Sequence, residues 1–499
     1  MALALAVPAL LAGCGGSEPD LTEVAIGTGT LPELDPALAS DPQSLEALWL
    51  IHTPLLTYRH ADAPAGAELI PGLAADLPEV SADGHTYTLE LREGLEYSDG
   101  TPVRASDFER AIERVEGLAP PIAALYEPIA EINTDDEIGE IEIRLAEPDA
   151  EFANLLALVS SAPVPGETPL ALTQPPPGVG AYEVAAADSE SVVLRRSEAF
   201  ADLGIPQIPT GEIDEITIKA GGTPATRAQA VLDGKLDYMQ DSPPRELRST
   251  IAEQAGERFA EHPASSTLLF TLDDDAPPFD DPLVREAVNH ALDKPHLVRA
   301  AQDQLAAGCS LLAPASAAYD VTLDRTDCPY GNPRRPPRIR LARDLIAQAG
   351  ARGARVAIAA GEGAHAESLA GAYARILDRI GLDAEVGATF EGAQAVLTAT
   401  PVALPSPAGA FAILRASGGV DDPLIGAEAT SLGATAPADA TAGWRELDRY
   451  LVSPPQSYVA TFGHLRATTF LSERIDPGLA RFNPVYGNDY SSWKLKEGE

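Results

Sequence analysis

The residues of this chain with chemistry to offer are its cysteines, its histidines and one pair of adjacent acids, and their spacing sorts them. Cys14 ends an apolar N-terminal run, residues 2–13, and is followed by Gly15-Gly16-Ser17. Leu11-Ala12-Gly13-Cys14 has the form of a lipobox, in which small residues admit a signal peptidase and the thiol accepts a diacylglyceryl group. The run is too short to cross a bilayer, which takes roughly 20 apolar residues, and no Lys or Arg precedes it as in an ordinary secretory signal. Residues 1–13 are expected to be a lipoprotein signal, Cys14 the lipidated first residue of the mature chain, and residues 14–21 a tether.

Cys309 and Cys328 then remain as an even pair in an exported chain, and a disulfide is the expected outcome. Closing a loop of about twenty residues contributes roughly 3 kcal/mol in the chain-entropy treatment. A metal site or a thiol nucleophile would need a His partner close by, and neither cysteine has one in sequence. The eight histidines show no i,i+4 pair and no ligand spacing, so no metal and no cofactor are expected. Gly-x-Ser-x-Gly, His-Glu-x-x-His and Cys-x-x-Cys are absent, and no nucleophile–base pair is readable. Gly361-Glu362-Gly363-Ala364-His365-Ala366, with Asp383 and Glu385 further on, has the outline of a dinucleotide fingerprint. Glu362 would stand against a pyrophosphate, so a plain strand–loop–helix is expected there. Asp421-Asp422-Pro423 is the pair of acids that remains: it either caps a turn or charges a binding site.

The elements that must position these residues follow from periodicity. Residues 22–27 alternate like a strand and run into a turn-rich stretch to Pro36, and residues 45–56 read as helix. Tyr87, Leu89 and Leu91 alternate with polar neighbours, so residues 86–92 form a half-buried strand. Ser106 and Glu109 have capping-box spacing, and Phe108, Ala111, Ile112 and Val115 share one helical face behind them. Strands are expected at 141–145, 181–185, 192–196, 213–219, 266–272, 356–360 and 382–386. Thr223 with Pro224 opens a helix that Gly234 closes, Asp281-Pro282 opens another, and residues 338–349 and 365–380 are helical. Helices and strands intermix, which gives an α/β class. The Ala-, Pro- and Gly-rich stretch 389–443 does not resolve into elements.

A length of 499 residues predicts two or three domains. The net charge of −40 excludes nucleic-acid binding, which needs a basic face, and repels anionic lipid, so a membrane link must come from the lipid alone. 

Four segments carry a family resemblance. They are Leu69-Ile70-Pro71-Gly72-Leu73-Ala74; residues 83–108, including Tyr97-Ser98-Asp99-Gly100-Thr101-Pro102; Gly178-Val179-Gly180-Ala181-Tyr182; and residues 278–294, which begin Pro278-Phe279-Asp280-Asp281-Pro282. In this order they resemble the solute-binding proteins of family 5 that serve ABC transporters for oligopeptides, dipeptides, nickel and related solutes. The resemblance implies a class II periplasmic-binding-protein-like clamshell with an additional inserted subdomain. Lobe I would be 22–45, 167–272 and 457–499; the subdomain 46–166; lobe II 273–456, with hinge crossings near Leu272 and Gln456. It further implies an extracytoplasmic lipoprotein, a monomer anchored by lipid, that captures a peptide or similar small solute and delivers it to ABC permease subunits without covalent chemistry.

Peptide binders of the family carry Ala-Asp-Tyr-x-Asp-Pro, whose first Asp pairs with the peptide amine. Aligning Asp422-Pro423 on that motif places Gly419 at the amine-binding position, so either Asp421 has taken the role or the ligand has no free amine there. Thr28, Thr30 and Leu31 after the first strand, Tyr182, Phe270, Asp421 and Asp422 are expected to face the cleft. Asp421 would be the charged contact, and Tyr182 and Phe270 the apolar surface. Two other functions fit the scaffold: a degenerate receptor serving a sensor or assembly, and an exported hydrolase.

Overall fold

The computed structural model describes residues 22–39, 41–63, 65–118, 121–301, 304–360, 364–387, 392–399, 405–416 and 420–496. The signal, Cys14 and the tether lie outside the described residues, as do Gly361-Glu362-Gly363 and Gly419.

A five-stranded sheet holds the first core, in spatial order Tyr238–Met239, Glu23–Thr28, Glu215–Ala220, Ser191–Arg196 and Tyr182–Ala187. Glu23–Thr28 pairs in parallel with both of its neighbours. Helix Pro224–Leu232 follows one of these strands; Thr223 and Thr226 cap it reciprocally, Pro224 opens it, and Gly234 beyond its end has φ 68°. 

A four-stranded sheet, Glu79–Val80, Thr86–Glu90, Glu140–Leu145 and Ile129–Asp135, carries helix Ser106–Leu118. Tyr87, Leu89, Ile141, Ile143 and Leu145 point inward with Phe108, Ile112 and Val115. The expected Ser106/Glu109 capping box does not form. Ser106 is already helical, and its N–H and hydroxyl both bond to Asp136, at 2.9 and 3.0 Å.

Helix Pro42–Ile51 packs against strand Tyr182–Ala187 of the first sheet and against the C-terminal strand Gly487–Asp489. Eight of its ten residues are buried, so it cannot be divided at residue 46 as the expected subdomain boundary requires. Gly180 passes so close to its end that an added Cβ would stand 2.2 Å from the Leu50 oxygen. The Gly-x-Gly-Ala-Tyr segment is therefore a close-packing device.

The second core is built on a six-stranded sheet: Leu305–Ala307, Val459–Phe470, Phe259–Leu272, Ala395–Ala399, Arg355–Ala359 and Asp383–Gly387. Phe259–Leu272 and Val459–Phe470 pair antiparallel, with register shifts between Pro263 and Thr267 and between Leu268 and Leu269. Residues 268–272 also pair with Ala395–Ala399, whereas Leu471 bridges back to Tyr238 of the first sheet. The two long strands thus form a ribbon between the sheets. Leu272 lies inside the second sheet, and the exchange between sheets takes place at the other end of the ribbon. Alternating apolar residues mark a strand but not which sheet it joins.

The stretch 389–443 yields strand Ala395–Ala399 and helices Pro407–Ala416 and Pro423–Gly433, and Pro437–Val452 follows. Each helix opens on Pro; Pro423–Gly433 buries only Ile425 and Gly433, whereas Pro437–Val452 buries Ala440, Trp444, Leu447 and Leu451 at helical spacing, mostly beyond residue 443. Cys309 and Cys328 are bridged, with Cα atoms 5.9 Å apart.

Candidate functional site

Where the ribbon meets the first sheet, a cavity of about 290 Å³ opens. The first core contributes Pro42, Gln43 and Glu46 from helix Pro42–Ile51 and Tyr238, Gln240, Asp241 and Ser242 from the end of a strand. The ribbon contributes Leu465, Arg466, Ala467 and Thr468, and Gln304 precedes its neighbouring strand. The C-terminal segment closes the cavity with Phe482 and residues 484–488.

Glu46 is the unusual member. Only 5% exposed, it accepts from the Asn488 N–H and Nδ2 at 2.9 Å each and from the Tyr490 hydroxyl at 2.5 Å. All these donors are neutral, and among the described residues no cation pairs with it. Burial drives its carboxyl up to about 7, and the bonds from Tyr490, Asn488 and Gln240 offset only part of that rise. The other charges of the cavity are already partnered. Asp241 binds Arg227, whose Nε is 2.9 Å away, and Arg466 reaches Glu261 at 3.3 Å. Gln240 donates to Tyr490 Oη at 2.9 Å and to the Gln43 oxygen at 3.2 Å, but its buried Oε1 has no partner among the described residues.

A second polar cluster lies within the second core. Asp324 Oδ2 stands 2.6 Å from His464 Nε2, and His464 Nδ1 lies 2.7 Å from the Thr267 hydroxyl. A carboxylate only accepts, so Nε2 carries a proton. The connectivity is that of an acid–base–nucleophile triad, which sequence spacing did not disclose. All three side chains are buried and none lines the cavity. Burial would raise Asp324, but the bond and charge of His464 and the N–H groups of Cys309 and Ser310 outweigh it and hold the carboxyl well below its usual range.

None of the seven residues expected at the cleft lines this cavity. Thr28 is buried and donates to the Thr30 oxygen at 2.7 Å, Thr30 is exposed, and Leu31 packs on the first core. Tyr182 is buried and donates to the Ile213 oxygen at 2.9 Å. Phe270 is buried in the second core, stacked on Tyr373 at 4.1 Å. Strand ends aimed the expectation at a crevice, but these two rings point into cores on either side of it. Asp422 caps helix Pro423–Gly433 through the Leu424 N–H at 2.8 Å and accepts from Tyr450 and Tyr458 at 3.1 and 2.8 Å. Asp421 is exposed, and its N–H meets Asp274 Oδ1 at 3.3 Å.

The profile of the bacterial extracellular solute-binding proteins, family 5, middle region, matches residues 68–423. The chain belongs to this family. Among curated relatives, the glutathione-binding protein GsiB of Shigella dysenteriae serotype 1 (strain Sd197) is 28% identical over 322 residues, 63% of this chain and 60% of that protein. GsiB of Escherichia coli (strain K12) is 28% identical over 320 residues, covering 62% and 59%. The match thus spans about three-fifths of the length of these relatives. Among solved structures, clavulanic acid biosynthesis oligopeptide binding protein 2 superposes with a TM-score of 0.80 at 23% identity over 96% of both chains. The Escherichia coli murein tripeptide binding protein MppA gives 0.75 at 16% identity, covering 95% of this chain and 99% of that one. The fold is therefore the α/β periplasmic-binding-protein type of family 5. The relatives are binding proteins by name, and the family is extracellular. Among the described residues no helix is long and apolar enough to cross a membrane.

Sequence reasoning overlooked Glu46 and Gln240 in this family 5 chain. A signal for Glu46 was present: it is a lone acid in the otherwise apolar-rich segment Leu45-Glu46-Ala47-Leu48-Trp49-Leu50-Ile51, where a charge must be either buried or misplaced. Gln240 carries no comparable signal.

Proposed function

We propose that the chain is an extracytoplasmic receptor that captures a small solute, a peptide or a molecule of similar size, and hands it to the permease of an ABC importer. The observation that carries this is the cavity beside the ribbon, walled by the first core on one side and by Gln304 and residues 465–468 on the other. A ligand held there touches both sides of the junction and so favours one arrangement of the two units over others. The units would be the lobes named above, with helix Pro42–Ile51 kept whole in lobe I and the hinge along the ribbon. Binding and release need no covalent step, so the receptor is not an enzyme in this reading. The buried relay of Asp324, His464 and Thr267 then serves to hold the ribbon.

Native mass spectrometry of the protein purified from its host tests the reading. A retained solute mass is expected, and it should disappear in Ala467→Trp, which fills the cavity. A solute kept by a folded Ala467→Trp protein would move the site elsewhere. The anchor is part of the same proposal: with Cys14 acylated, Cys14→Ser should move the protein from the membrane to the soluble fraction. Continued membrane residence of that variant would rule the anchor out.

A further inference from the structure

We infer that the cavity beside the ribbon receives a primary ammonium group of its ligand, which donates to the Glu46 carboxylate and to Oε1 of Gln240. This rests on the reading of the cavity as the solute site, and it adds the chemistry of what enters.

Two independent features point the same way. Gln240 is 8% exposed and its Oε1 has no donor among the described residues, although a buried acceptor left unbonded is unfavourable. Glu46 is buried among neutral donors, and a buried carboxylate without a cation is more unfavourable still. The two groups are neighbours, because the Gln240 amide nitrogen lies 3.5 Å from Glu46 Oε2. Both line the same cavity.

The alternatives fail on charge or on hydrogen bonding. An alcohol could satisfy Gln240 but would leave Glu46, in the ionised form that its Asn488, Tyr490 and Gln240 donors fit, without a counter-charge. A carboxylate or phosphate would add acceptors beside a carboxylate. A quaternary ammonium brings charge but no N–H. Asp241 and Arg466 do not change the sign of the cavity, since Arg227 and Glu261 already pair with them. A primary ammonium supplies both charge and donors, and Leu465, Phe482, Val485 and Tyr486 offer apolar wall for the chain behind it.

The test measures binding of n-butylammonium to the solute-free full-length protein, against butanol, butyrate and butyltrimethylammonium, by ligand-observed NMR titration. The amine should bind roughly tenfold or more tightly than each of the other three. Glu46→Gln should remove that preference with the melting transition retained. Gln240→Met, which leaves the bonds between Glu46 and Asn488 untouched, should weaken the amine at least threefold. The inference is overturned if the alcohol binds as well as the amine, if both variants bind the amine as the parent does, or if the parent shows no saturable amine binding. A native solute that is lost in Ala467→Trp yet carries no amine would overturn the inference alone and leave the solute-site reading standing.

Discussion

Glu46 and Asp324 are the same functional group sealed into two parts of one molecule, and their environments push them in opposite directions. Asp324 lies against His464 and collects the N–H groups of Cys309 and Ser310 at 2.5 and 3.0 Å and the Tyr319 hydroxyl at 2.9 Å. Glu46 has comparable hydrogen bonds but no charged partner, and one side of its site is open to a cavity. Hydrogen bonds alone do not keep a buried carboxylate ionised; a counter-charge does. The closed cluster in the second core is therefore a finished structural unit. The open one in the first core is poised for something to arrive.

Matched amide substitutions should break the comparison most sharply. Asp324→Asn can keep an oxygen on the Cys309 and Ser310 N–H groups, but it removes the charge beside the buried His464 and turns an NH2 donor toward His464 Nε2–H and the Tyr319 hydroxyl. It should cost about 3–5 kcal/mol in guanidinium unfolding, the range for breaking a buried pair. Glu46→Gln removes a carboxylate that lacks a cation, so at pH 8 it should lose no more than about 1 kcal/mol. Equal losses for the two variants would show that the neutral donors around Glu46 do the work His464 does for Asp324.

The pH dependence should carry opposite signs. The carboxyl of Glu46 rises from 4.5 in the open chain to about 7 in the fold. Between those values the folded state binds more protons than the unfolded one, so stability should be full below the lower value and fall as pH rises through about 7. The loss amounts to about 3 kcal/mol for this group. Asp448, likewise driven up to about 7 by burial that outweighs the bonds from the Leu311 and Leu312 N–H groups, acts in the same window. Asp324 is held below its ordinary 3.8, so its contribution is present above that value and is lost toward acid. The difference in guanidinium midpoint between pH 5 and pH 8 should shrink in Glu46→Gln and shrink again in the double variant with Asp448→Asn. A midpoint difference identical in all three proteins would mean that neither acid is protonated in the fold near neutrality.

What was legible in the sequence was local. Thr86–Glu90 follows from period-two alternation, and helices Pro224–Leu232 and Pro282–Ala291 follow from their caps, because every residue involved lies within a few positions of its partner. The Cys309–Cys328 bridge followed from counting. The cavity did not, because its walls come from residues 42–46, 238–242, 304, 465–468 and 482–488, segments with no shared period. The relay was hidden for the same reason: Asp324 and His464 are 140 residues apart. Ser106 shows the converse error, a correct local pattern diverted by Asp136 from another segment.

The smallest effects concern Asp421 and Asp422, adjacent acids that sequence reading grouped and the structure separates. Asp422 caps a helix and takes two tyrosine hydroxyls, so Asp422→Ala should lower stability by about 1–2 kcal/mol, as removal of a cap does. Asp421 is exposed and, among the described residues, its backbone N–H alone is engaged, with Asp274, so Asp421→Asn should leave stability within about 0.5 kcal/mol. Its value is as a probe of affinity. If Asp421 is a second charged contact for the solute, Asp421→Asn should weaken binding about tenfold, or 1.4 kcal/mol, while the fold is unchanged. If affinity is also unchanged, the charge that selects the solute is not on this turn. The buried carboxylate of Glu46 would then be the acid that faces it, some distance along the chain from where the family's motif places the corresponding group.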